Sequence, residues 1–252
     1  MLGTRVRVCA RACGRCARGV SRSWREALAE RRFFMADGKI PEEFEVGTPV
    51  LVCRWRLQDG ALPIENRHLR ALGRRHVLGK KLSRQLLAWA KQHIEWTLAD
   101  GTAEHPDGVL MLLVDAEGRA AMACGDYEPL PDTTLAGLLA RAASGSDEAS
   151  ETDIAPETIW VGRGRGLAVG MAPGEHPSGA ASLVEDLAKT LGMPVERDPQ
   201  LLARLADAAE KPAEAFLVSD EHGIIPASDA SGALARKFAD GWDRLLERSR
   251  RR

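Results

Sequence analysis

The chain has 252 residues, 35 lysines plus arginines against 36 aspartates plus glutamates, and a formal net charge of -1. That length suffices for one large or two small domains with a buried core. The near-neutral balance gives no electrostatic case for nucleic acid or an acidic membrane, and no apolar run approaches the roughly 20 residues of a bilayer span, so a soluble protein is expected.

Residues 1–34 carry Arg5, Arg7, Arg11, Arg15, Arg18, Arg22 and Arg25 before the first acid, Glu26. An acid-free, arginine-rich start fits a mitochondrial targeting segment. It also fits a misassigned start, with Met35 as the true beginning, so residues 1–34 are read as an arm outside the fold. Cys9, Cys13 and Cys16 have the C-x3-C-x2-C spacing found in the cluster loop of radical SAM enzymes. The barrel of strand and helix units that should follow is not found. Cys53 and Cys124 are isolated among apolar residues and read as small buried side chains of a reducing compartment. The cytoplasm is therefore expected, or the mitochondrion if the arm is a targeting segment.

Val46 to Leu57 predicts a strand closed by the turn Asp59-Gly60, with Arg54 and Arg56 on one face as a solvated face or an anion site. Leu82, Leu86, Trp89, His93 and Trp96 recur at helical spacing in the most basic part of the body. With the chain slightly acidic overall, that stripe reads as a solvated face more than an RNA-binding one. Val109–Val114, the turn Asp115–Gly118 and Arg119–Cys124 predict a hairpin. Residues 131–157 read as a short helix plus a polar linker, and Ser144–Thr152 as disordered.

Thr158–Gly170 reads as two strands joined by a glycine-rich turn; the run Gly162-Arg-Gly-Arg-Gly166 lacks the spacing of a dinucleotide fingerprint. A helix follows, with Leu183, Val184, Leu187 and Leu191 on one face, Ser178 as its cap and Gly192 as its stop. A strand over 193–197, a helix over 201–209, the strand Ala215–Val218 and a terminal helix from Phe238 complete the chain. His222 reads as a surface or capping histidine.

Two stretches, G192-M-P-V-E-R197 and E214-A-F-L-V-S-D-E-H-G-I-I-P-A-S-D-A-S-G232, together with K80-K-L-S-R-Q-L-L-A-W-A90, resemble motifs of the class IV pyridoxal-phosphate enzymes, namely the branched-chain and D-amino-acid aminotransferases and aminodeoxychorismate lyase. The resemblance implies an α/β (α+β), two-domain fold: an abbreviated N-terminal domain over 35–107 and a C-terminal domain over 108–252 with an insertion at 131–157. It implies an aminotransferase or lyase acting on an amino acid or an aminodeoxychorismate-like compound, with pyridoxal phosphate as cofactor and a homodimer as the assembly. By the same resemblance Lys80 is the amine that joins the cofactor and moves the alpha proton. The phosphate would rest on the amides of Gly179 and Ala180. Asp220 stands where the family has a hydroxyl, with Ser219 as substitute, and Arg54 or Arg56 is nominated as the phosphate-binding arginine. Met122 stands where the family has the glutamate that protonates the pyridine nitrogen, and a thioether cannot hold that proton. The alternative is a catalytically inactive relative that keeps the fold as a binding or scaffold protein.

Overall fold

A computed structural model describes residues 33–34, 48–101 and 104–249. Cys9, Cys13 and Cys16, and all of the arginine-rich arm but residues 33–34, lie outside the described residues. The chain divides into two compact units, with Pro63–Arg75 and the residues from Glu128 onward in the second and the remainder, to Tyr127, in the first.

In the first unit an antiparallel sheet runs in the order β1-β6-β5-β2, with β1 at Phe33–Phe34, β2 at Pro49–Arg56, β5 at Val109–Asp115 and β6 at Ala120–Gly125. Strand β2 alternates, burying Leu51, Cys53 and Trp55 and leaving Val50, Val52, Arg54 and Arg56 half-buried, as a strand with one core face does. Strands β5 and β6 are buried along their whole length, which explains the unbroken apolar run of β5. Their turn is held by Asp115, which accepts from the Glu117 and Arg119 amides and pairs with the Arg119 guanidinium. A small hairpin joins β3 (His76–Val77) to β4 (Lys80–Lys81) through Leu78 and Gly79, both at positive φ, as a tight hairpin turn requires. Ser83 then accepts from the Leu86 amide and opens a helix over Arg84–Gly101. That helix packs on β6, burying Leu86, Trp89, Ala90 and Ile94. Cys53 and Cys124 are buried.

The second unit is built on the sheet β11-β10-β7-β8-β9, formed by β7 (Glu157–Arg163), β8 (Gly166–Val169), β9 (Val195–Arg197), β10 (Ala215–Ser219) and β11 (Gly223–Pro226). Only β8 and β9 among its pairs run parallel. Numbering the helices in chain order, α1 is Glu65–Leu72, α2 is Arg84–Gly101, α3 is Leu135–Thr152, α4 is Gly179–Thr190, α5 is Leu201–Ala206 and α6 is Ala233–Ser249. Period-two alternation sends Trp160, Phe216 and Val218 to a core shared with α4 and α6. It sends Ile159, Val161, Ala215 and Leu217 to a core shared with α3 and α5. Both faces are therefore covered by helices, and β7 and β10 are apolar on each side.

Residues Ser144–Thr152, expected to be disordered, continue α3 instead. Thr134 caps α3 by accepting from Gly137, Leu138, Leu139 and Ala142 face the sheet, and Gly145 lies so close to β7 that a Cβ there would stand 2.5 Å from the Glu157 carbonyl oxygen. A polar stretch is helical here because a narrow stripe of small residues meets a strand. Leu191 departs from the expected buried face of α4: it is 46% exposed, beyond the last turn, where the chain leaves through Gly192 at positive φ. None of the described helices is long and apolar enough to cross a membrane.

Candidate functional site

The amino terminus of α4 is where a helix offers free N–H groups and the positive end of its dipole. Ser178 adopts an extended backbone and its Oγ accepts from the Ala181 N–H at 3.2 Å, as its position before the apolar face predicts. The Ala180 N–H is held by Asp220, whose Oδ1 accepts it at 2.7 Å. Asp220 is 4% exposed and follows directly on β10; its own N–H donates to the Pro156 carbonyl, which fixes the loop against the start of β7.

The other Asp220 oxygen faces His68 of α1, with Nδ1 at 3.7 Å from Oδ2. His68 is 2% exposed and lies on Gly179: a Cβ on that glycine would be 2.4 Å from the imidazole nitrogen. Arg67 of α1 donates to Ser182 and Asp186 of α4 at 3.1 and 2.8 Å, seating the helix that carries His68. Arg75, past the end of α1, donates to Glu148 and Thr152 of α3. Burial pushes the Asp220 carboxyl up. The facing His68, the Ala180 N–H and the Arg75 charge outweigh that push, and the net direction is down.

Ser219 points elsewhere. Its Oγ donates to Glu157 at 3.0 Å and accepts from the Glu221 and His222 amides, closing the β10–β11 turn. His222 is largely buried, not the surface residue expected: its Nε2 stands 3.4 Å from Arg141, 3.9 Å from Glu157 and 3.8 Å from Glu221. The remaining expected residues belong to the first unit. Lys80 stands exposed on β4. Arg54 and Arg56 share the half-buried face of β2, and the Arg56 guanidinium stacks on the Tyr127 ring at 3.4 Å. Met122 is buried in β6 opposite Leu112.

Among the expected residues, then, the second unit gathers Gly179, Ala180 and Asp220 at one helix end. The partner that sequence reasoning missed is His68. A single histidine in a basic helix gives no signal of its own; the one hint was an acid where the related motif has a hydroxyl, since an acid suits a helix amino terminus.

These residues do not fit the phosphate of pyridoxal phosphate at the α4 terminus. The Ala180 and Ala181 N–H groups are given to Asp220 and Ser178. A phosphate there would also stand beside a carboxylate of its own sign.

No family model and no curated protein matches the sequence. Solved structures do match. A hypothetical aminotransferase from Mycobacterium tuberculosis in its PLP-bound form aligns with a TM-score of 0.51 at 13% identity, over 79% of this chain and 89% of that one. The α-ketoglutarate- and PMP-bound form of a hypothetical aminotransferase from the same organism aligns with a TM-score of 0.51 at 13% identity, over 78% and 88%. A Legionella pneumophila protein assigned as a 4-amino-4-deoxychorismate lyase aligns with a TM-score of 0.51 at 11% identity, over 77% and 90%. At such identities the likeness is one of fold.

Proposed function

From a chain that has the class IV aminotransferase fold, we propose a binding or scaffold protein that keeps this architecture without pyridoxal-phosphate chemistry. The observation that carries the reading is the Ala180 N–H, bonded to the chain's own Asp220 at 2.7 Å where the resemblance puts a phosphate. Fold alone confers no activity. The groups at this site are spent on one another: a carboxylate on an amide, with a histidine facing that carboxylate, and a serine on a second amide.

A second reading, an aminotransferase or lyase acting on an amino-acid-like substrate, is favoured by Lys80. It stands just before α2 as in the related motif, while its exposed side chain counts against an imine-forming role. This reading would bring with it a homodimer and a cytoplasmic place.

Incubation of the purified protein with pyridoxal phosphate, followed by borohydride reduction and peptide mapping, separates the two. The expected result is no saturable absorbance band near the visible edge and labelling scattered over surface lysines. Stoichiometric fixation on Lys80 would overturn the non-catalytic reading in favour of the second.

A further inference from the structure

A helix amino terminus attracts an anion, whichever molecule supplies it. In the second unit the supplier is Asp220, with one oxygen 2.7 Å from the Ala180 nitrogen and the other facing His68. The enclosure is specific. Asp220 and His68 are both buried, Gly179 has no Cβ precisely where one would strike the His68 ring, and Arg67 clamps α1 to Ser182 and Asp186. The carboxyl is held below its usual range, so it carries its negative charge at neutral pH.

We infer that Asp220 is the resident anion of the α4 terminus, taking within the chain the place that a cofactor's phosphate takes at such a helix end, and that this one side chain shuts phosphate monoesters out. The inference deepens the non-catalytic reading and rests on it, because it names the ligand class refused and the residue that refuses it. Two properties of Asp220 produce the exclusion. Its oxygen occupies the N–H that a phosphate oxygen would need, and its charge repels a dianion brought within a few ångströms.

The test uses the full chain and the variant Asp220→Ser, titrated with inorganic phosphate and separately with pyridoxal phosphate at constant ionic strength, read by the 31P signal and by thermal unfolding. Wild type is expected to give no saturable response. Asp220→Ser, folded by its circular dichroism, is expected to bind inorganic phosphate at least about tenfold more tightly than wild type. Should the serine variant not fold, Asp220→Asn, which drops the charge but keeps an oxygen for the Ala180 N–H, is expected to show a smaller but measurable gain in phosphate binding in the same assay. Wild type binding as tightly as the folded variant, or a folded variant gaining nothing, overturns the inference. A wild type fixed by pyridoxal phosphate at Lys80 while Asp220→Ser still gains phosphate ends the non-catalytic reading and leaves this one. Wild type refusing pyridoxal phosphate while the folded variant gains nothing does the reverse.

Discussion

Asp220 and His68 set the chemistry of the α4 terminus, and they also tie its stability to pH. Asp220 has a folded-state pKa below its unfolded value of about 3.9. A carboxyl of that kind contributes stability that is present above the unfolded value and is lost as pH falls through the folded one. Asp220→Asn is therefore expected to lower stability at neutral pH by about 2 kcal/mol, the scale of a hydrogen bond to a buried charged group. The gap to wild type should narrow below about pH 4, where the unfolded chain takes up a proton that the native carboxyl still refuses. Urea unfolding of both proteins from pH 7 downward checks it; a gap independent of pH would mean that shape, not charge, holds this site together. Asp220 was legible in the sequence as a departure from a motif, and so was the Ser178 cap. His68 was not, because its role comes from a contact with residues far along the chain.

Helix α3 shows what propensity and polarity leave undecided at the level of an element. Its second half reads as a solvated linker, yet Gly145 and Thr152 are buried and Arg75 reaches across to Glu148 and Thr152. Gly145→Ala tests whether packing is what keeps this half helical. Alanine favours a helix by about 1 kcal/mol, but its Cβ would stand 2.5 Å from the Glu157 backbone oxygen. A net loss of about 1–2 kcal/mol is expected, as for an overpacked contact, measured by denaturant unfolding; a gain would show that α3 is free to move off the strand. The hairpins, by contrast, were readable from local signals. Gly164 and Gly118 sit at positive φ in the two longer ones, and the flanking apolar runs pair in register. The acid-laced surface around β9 is not local in origin, since Arg163 reaches Glu196, Asp198 and Glu210 far along the chain. Arg163 and Arg204 hold Asp198 down to about 2, through hydrogen bonds from Arg204 and Arg163 that outweigh the upward push of burial.

At the scale of the whole molecule the chain is not cut where a linear reading cuts it. The second unit takes Pro63–Arg75 out of the amino-terminal half and adds it to the residues from Glu128 onward. A fragment beginning at Glu128 would lack α1, leaving Gly179 uncovered and Asp220 without His68. In such a fragment the β7 and β10 amides are expected to exchange hydrogen faster than in the full chain, and adding a peptide of residues 63–75 should slow them. Equal protection with and without the peptide would show α1 to be dispensable. The sequence by itself determined four of the five strands of the second sheet, β11 excepted, the cap of α4 and the likeness to the class IV fold, since these rest on periodicity, turn residues and spacing, all properties of neighbours in the chain. Only the tertiary structure decided what the α4 terminus holds. A helix end favours any anion, and the strand end that brings Asp220 and the distant helix that brings His68 determined that the anion is the protein's own.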